Sequence, residues 1–440
     1  MERLESSKEF TAHSMELKFF HNYFGNLGGF MCDKAKEFAE KEKLPFLPSN
    51  LQVALVNLAQ HEKVYFSLTF LEQKSWFARR DSLKNSYSIL QSLFLSIVKQ
   101  EHKVSTSGDF ETDGELPENL VSTVCFQLSE FCSARLECIS LYIQMFKTAL
   151  APPLDTLCEE VKLLLESYPQ KFPHDCLRNI QTCISDELTA LLALLQARQD
   201  IFKWNYTGAI YNLDDAHEVL LKWKPQAMKH QGSSFRGSFF GFGEKLSNPT
   251  SGLYVWMEKF FQTLKSQFTF YFYEVLCNTG SSDEMKQMLS KTSYDFVSKA
   301  LLHIKRNDFS HLFLILNTRE QSTTALKYGY PLPDLNDQTC VQNYRIMLTL
   351  PHTSNDHVTH IQYLLQNKTD ELNLEKVVSH TSSEDNKTFF CAQIDHKIFI
   401  IIVCNGLRGD KDSNVTLYLN EVLNQLKLRK IALLLKPGNK

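Results

Sequence analysis

The chain is poor in the features that mark most enzymes, membrane proteins and nucleic-acid binders. Its formal net charge is only -3 over 440 residues, which argues against a global electrostatic affinity for nucleic acid, whose partners are usually strongly basic. Eleven cysteines are scattered along it, none in a CxxC pair, which removes the common zinc frames. Cys125, Cys132 and Cys138, and Cys176 and Cys183, recur at spacings of six or seven, as small apolar residues do on a helix face. That usage points to a reducing compartment. GxSxG, HExxH, GxGxxG, a nucleophilic Cys-His signature and the kinase motif set are all missing. No enzymatic activity and no cofactor are therefore expected.

No long apolar run is free of charge. The nearest is Leu253–Leu276, which holds Glu258, Lys259, Lys265 and Glu274. A charge at mid-bilayer costs roughly 2.5–3.5 kcal/mol, so four outweigh the apolar gain. This segment reads as a buried or interfacial helix of a soluble protein. MERLESSKEF at the start is too charged for a signal peptide, so the four N-x-T triplets (at Asn205, Asn367, Asn386 and Asn414) are expected to be chance matches. The basic residues Lys427, Arg429, Lys430, Lys436 and Lys440 read as a solvated tail.

Helical periodicity is abundant. Ala54, Leu58, His61, Tyr65 and Leu68 recur at spacings of four and three, and Leu83, Tyr87, Leu90, Phe94 and Ile97 repeat the pattern. Each set is one face of a helix that must be buried. Further helices are expected over 14–43, broken at Gly28-Gly29 and ended by Pro45 and Pro48, over 120–149, from Pro152-Pro153, over 174–204 and over 209–228. Ser49 and Gln52 fit a capping box, and Asp81 an N-cap. Residues 104–119 are a polar linker. The fold class expected is an N-terminal multi-helix bundle (1–228), a flexible linker (229–252) rich in Gly and Ser, and a C-terminal α/β domain (253–440).

That last domain opens with two aromatic helices, from 253 and 283. Strands are expected at 311–317, 343–350, 360–366, 387–394 and 397–404, with a short helix from Glu371 to Val378, a helix over 413–426, and a further strand at Ile431–Leu435. Asp395-His396 reads as a tight hairpin. The order β-β-β-α-β-β-α suits a mainly antiparallel five- or six-stranded sheet with helices on a face, of longin/roadblock type.

Candidate sites reduce to few residues. Gly232–Ser238 loosely imitates a phosphate loop but lacks its lysine. His352, Asp356, His357 and His360 crowd one loop without a metal-ligand frame. His61 reads as a satisfied core histidine, and Glu159-Glu160 and Asp214-Asp215 as solvated helix surface. The junction Trp76-Phe77-Ala78-Arg79-Arg80 is different. Trp and Arg dominate binding hot spots, so Trp76, Phe77, Arg79 and Arg80 are the partner-binding candidates, weighed against the filling of a helix-helix corner.

Several segments together carry a family resemblance: Cys32–Glu37, HEKVYFSLTFLEQK and WFARRDS in the block 61–82, Phe268–Leu276, Leu372–Val378 and Leu435–Gly438. In their order the chain resembles the KICSTOR complex subunit 2 family. The resemblance implies a non-enzymatic scaffold subunit, peripheral at the lysosomal surface through its complex, with only indirect membrane association. Its partners would be the other KICSTOR subunits, namely kaptin, an integrin-alpha repeat subunit and a large scaffold subunit. Through them it would help recruit the GATOR Rag GTPase-activating complex and restrain mTOR complex 1 on amino-acid or glucose starvation. Self-association is compatible with that role. The rival expectation is a trafficking adaptor or small-GTPase regulator acting through the C-terminal domain.

Overall fold

The computed structural model describes residues 2–42, 47–71, 82–105, 119–168, 170–228, 251–318, 340–341, 344–351, 357–372, 376–395, 397–410, 412–428 and 431. The first half is helical: α1 (Glu2–Gly28), α2 (Cys32–Lys41), α3 (Ser49–Ser67), α4 (Ser82–Ser105), α5 (Leu120–Thr148), α6 (Asp155–Ser167), α7 (Arg178–Lys203) and α8 (Tyr206–Met228). Both expected stripes are core. Ala54, Leu58, Tyr65 and Leu68 on one side, and Leu83, Tyr87, Leu90, Phe94 and Ile97 on the other, are all buried. Fully burying one such side chain contributes about 1.5–3 kcal/mol, which is why two facing stripes hold α3 to α4.

Local chemistry sets several ends. The α1 helix stops at Gly28, as the glycine pair predicts. Asn119 caps α5, its side chain accepting from the Val121 amide at 3.0 Å. The capping box expected at Ser49 does not form: Ser49 is already helical behind Pro48. Gln52 instead donates to the Ala39 carbonyl at 2.6 Å, tying α3 to α2. The Asp81 cap and the linkers at 106–118 and 229–250 lie outside the described residues.

Four helices, rather than two, lead into the sheet: α9 (Gly252–Tyr271), α10 (Tyr273–Thr279), α11 (Ser282–Ser290) and α12 (Phe296–Arg306). The aromatic segment breaks at Phe272, whose backbone leaves helical geometry (φ -105°, ψ 22°). Then come β1 (Phe309–Asn317), β2 (Cys340–Val341), β3 (Tyr344–Leu350), α13 (Val358–Asn367), α14 (Thr369–Leu372), β4 (Val378–Ser382), β5 (Lys387–Gln393), β6 (Ile398–Asn405) and α15 (Ser413–Leu426). The sheet is antiparallel, in the order β2-β3-β1-β6-β5-β4, with β2 only two residues long.

Two expectations are corrected here. Residues 360–366 form helix α13, not a strand: Ile361, Leu364 and Leu365, spaced i, i+3, i+4, all reach the sheet, while Tyr363 between them is half exposed. The short helix expected over Glu371–Val378 ends at Leu372, and Val378 opens the edge strand β4. Its sequence, VSHTS, carries one aliphatic residue and gives little strand signal. Of the expected strand at Ile431–Leu435, residues 432–435 lie outside the described residues.

Helices cover both faces of the sheet, not one. Leu312, Leu314, Leu316, Phe390, Ile400 and Ile402 join the core shared with α9, α12 and α15. Their neighbours Phe313, Ile315, Phe389, Ile401 and Val403 point the opposite way, into a second core with α13 and α14. Alternation along a strand makes this division automatic. Burial on both faces explains why β6 reads as an unbroken apolar run. The larger core is continuous from Phe19 to Ile431, and α9 packs against α3, α7, α8 and α12. At its start a Cβ on Gly252 would stand 2.7 Å from the Ser67 carbonyl oxygen, so glycine is what lets α9 abut the end of α3.

Candidate functional site

The strongest polar constellation is buried in the bundle. Arg135 on α5 donates to Glu62 on α3 through Nε (2.9 Å) and Nη2 (2.8 Å), and through Nη1 to Glu187 on α7 (2.7 Å). Tyr87 of α4 donates to Glu62 at 2.6 Å, and Tyr142 of α5 to Glu187 at 3.0 Å. Tyr65 of α3 also donates to Glu187, and its ring lies 4.1 Å from the guanidinium carbon. All three charged residues are at most 1% exposed.

The electrostatics are those of a closed structural centre. Burial opposes the charge on Arg135, but Glu62 and Glu187 offset it and hold the guanidinium well above its ordinary pKa. Burial and Glu62 push the Tyr87 phenol up, and burial and Glu187 do the same to Tyr142, so these phenols remain donors. Four helices converge on one arginine, each carboxylate oxygen accepting from it or from a tyrosine. Burying three charges is tolerated only with such complete pairing. With no opening to solvent, the centre fixes helix register rather than meeting a ligand.

This cluster escaped the reading of the sequence, although a signal was there. Glu62 follows His61 on the first stripe, Arg135 lies three residues past Cys132, and Glu187 three past Ile184. Opposite charges at core positions of separate helices announce a buried pair. His61, expected to be a satisfied core histidine, is instead half-buried, with Nδ1 lacking a hydrogen-bond partner among the described residues and its ring 5.5 Å from Tyr87.

The other singled-out residues disperse. Trp76, Phe77, Arg79 and Arg80 lie outside the described residues, as do Gly232–Ser238, His352 and Asp356. What flanks the junction is described: α3 ends at Ser67, a 3₁₀ turn spans Thr69–Leu71, and α4 begins at Ser82. Asn50 bonds Gln100 and Glu62 bonds Tyr87, so α3 and α4 run antiparallel, and the end of α3 and the start of α4 share one end of the bundle. Val64 and Ile89, on the two helices that meet at that end, are 38% and 70% exposed.

The two described histidines of the expected loop cluster separate: His357 stands at the N-cap of α13 and His360 within it. His357 Nε2 lies 3.2 Å from Lys387 Nζ, whereas His360 Nε2 meets Asp385 at 2.5 Å. Among the described residues no group of three or more His, Cys, Asp or Glu could hold a metal ion. Cys32, Cys125, Cys132, Cys138, Cys158, Cys176, Cys183, Cys277, Cys391 and Cys404 are free thiols, and burial pushes Cys125 and Cys138 up to about 12, far from thiolate reactivity at neutral pH. No helix among the described residues is long and apolar enough to cross a membrane.

The buried charges among the described residues are spent on packing, and α9 is shared between bundle and sheet. The family described as KICSTOR complex C12orf66 like matches residues 11–440, and the chain belongs to that family. It is 30% identical to KICSTOR subunit 2 of Xenopus laevis over 445 residues, covering 97% of each chain. It is 28% identical to KICSTOR subunit 2 of Danio rerio over 436 residues, covering 95% of each.

Proposed function

We propose that this chain is a non-enzymatic scaffold subunit of a KICSTOR complex. The observation that carries the reading is the length of the family match, which runs through bundle, shared helix and sheet alike. A subunit acts through surfaces, and the described residues place their strongest charges in packing. In this reading the partners are kaptin, the integrin-alpha repeat subunit and the large scaffold subunit. Through them the chain helps bring the GATOR Rag GTPase-activating complex to the lysosomal surface and restrains mTOR complex 1 when amino acids or glucose are scarce. The division into a bundle (1–228), a linker (229–252) and a C-terminal domain (253–440) belongs to the same proposal. So does partner capture by Trp76, Phe77, Arg79 and Arg80, supported by exposed Val64 and Ile89 on the helices that flank the junction in sequence.

Affinity purification of the tagged full chain from starved cells, read by mass spectrometry, tests this. Recovery of the other KICSTOR subunits in near-equal amounts is the expected result. Recovery of none of them would sink the reading.

One observation favours a second reading. Leaving aside the two-residue β2, the C-terminal domain runs strand-strand-helix-strand-strand-strand-helix, with its first and last strands paired at the centre of the sheet. That arrangement supports a longin/roadblock-like domain and, with it, an adaptor or regulator acting on a small GTPase. A change in nucleotide exchange or hydrolysis on adding the full chain alone to purified GTPases would favour it over the scaffold reading.

A further inference from the structure

A cleft of about 270 Å³ opens between the C-terminal end of α1, the first turns of α7 and Trp223 of α8. The α1 wall is backbone: Gly25, Gly28 and Gly29 line it without side chains. The walls meet so closely that a Cβ on Gly28 would stand 2.6 Å from the Asn179 carbonyl oxygen. Across from them, Thr182 and Asp186 stand one turn apart on α7, and Met31 adds apolar surface.

Asp186 is the unusual member. It is half-buried, and burial pushes its carboxyl above the ordinary aspartate range, against the pull of Lys222 and a hydrogen bond from the Trp223 side chain. None of the ion pairs formed among the described residues includes it. The rim cation Arg178 is held by Asp175 at 2.7 Å, and Lys222 is solvent-exposed. A half-buried carboxylate without an ion-pair partner is costly unless something supplies one. The C-terminus of α1 and the N-terminus of α7 both line the cleft, so their opposite helix dipoles offset one another there, and Asp186 is the acid that faces it.

We propose that this cleft receives a basic side chain of a partner protein, a guanidinium for preference. Asp186 meets the charge, Trp223 holds the carboxylate in place, and Met31 with the glycine wall accommodates the aliphatic stem. A planar guanidinium can bond both carboxylate oxygens, which an ammonium cannot do equally well. The site shares no residue with the Trp76–Arg80 junction and does not depend on which complex the chain joins.

The test uses the full chain with three small probes, followed by saturation-transfer NMR. They are Nα-acetyl-arginine methylamide, the matching citrulline compound, which keeps the shape without the charge, and agmatine. The arginine probe should bind saturably with a dissociation constant of about 1 mM, as suits a single side chain, and citrulline at least tenfold more weakly. Asp186→Asn should weaken the arginine probe at least tenfold. Thr182→Arg, at an exposed position, should abolish binding by placing its own guanidinium in the cleft, with circular dichroism melts confirming that both variants fold. Equal binding of citrulline, undiminished binding in the folded variants, or no saturable binding up to about 10 mM would each overturn the proposal. Binding of agmatine without the capped arginine would overturn the choice of a protein side chain and assign the cleft to a free amine.

Discussion

Arg198 on α7 donates through Nη1 to Gln267 Oε1 on α9 across 2.9 Å, and the same glutamine donates to the Leu426 carbonyl at 3.3 Å. One amide thus links a bundle helix to the last helix of the sheet domain, all of it buried. Burial lowers the pKa of Arg198, with Tyr271 and Asp395 opposing. Gln267→Leu keeps the volume but removes the acceptor from a buried cation. We expect a loss of about 2–3 kcal/mol in urea unfolding, with Gln267→Glu retaining most of the stability by supplying a carboxylate.

The Arg135 centre makes a paired prediction. Arg135→Leu strands two buried carboxylates and should cost about 3–5 kcal/mol. Replacing Glu62, Arg135 and Glu187 together by Leu, Met and Leu should cost less than the single change, because no uncompensated charge remains. Guanidinium unfolding of both proteins decides it; a triple variant weaker than Arg135→Leu would mean that the charges contribute net stability.

Contact between α9 and α3 depends on a missing side chain. Gly252→Ala places a carbon against the Ser67 carbonyl and should cost about 1–3 kcal/mol through displaced backbone. Hydrogen exchange should show α9 and the end of α3 losing protection together, before the centre of α5.

Acid should weaken the fold through its histidines. Burial lowers the pKa of His61, His303 and His380; at His380 the neighbours His360 and Lys368 add to it. A histidine harder to protonate when folded than when unfolded stabilises fully above its unfolded value, about 6.5. That stability is lost as pH falls through the lower folded value. Stability in urea should therefore drop between pH 7.5 and pH 5.5. His61→Phe, whose only named cause is burial, should flatten that drop, and an unchanged slope would remove His61 from the account.

At the Trp76–Arg80 junction, Arg79→Glu with Arg80→Glu should reduce co-purification of partners at least tenfold while leaving the helical circular dichroism intact. Lost helicity would instead make the pair a structural part of the bundle corner.

How far the sequence disclosed these features follows from which forces are local. The stripes of α3 and α4 were legible because burial of a helix face repeats every three to four residues. Helix α13 was misread because Ile361, Tyr363 and Leu365 also alternate, and only contact with Phe389 and its neighbours selects the 361-364-365 period. Strand β4 was hidden for the opposite reason: pairing with β5 holds a polar edge that its side chains hardly specify. Among sites, the junction was conspicuous because its residues are contiguous. The Arg135 centre and the Asp186 cleft gather residues from distant helices, so neither leaves a short motif.

The position of α9 also constrains how the protein can be made. Ser251 lies against the Phe66 carbonyl, 185 residues earlier in the chain, and contacts of such separation form slowly. During synthesis, helices α1 to α8 emerge before the helix that covers α3, α7 and α8 exists. A nascent bundle therefore presents open apolar surface to solvent until residues past Tyr271 leave the ribosome. Truncation before α9 exposes the same surface permanently, so such fragments should engage chaperones and aggregate rather than accumulate as free bundles.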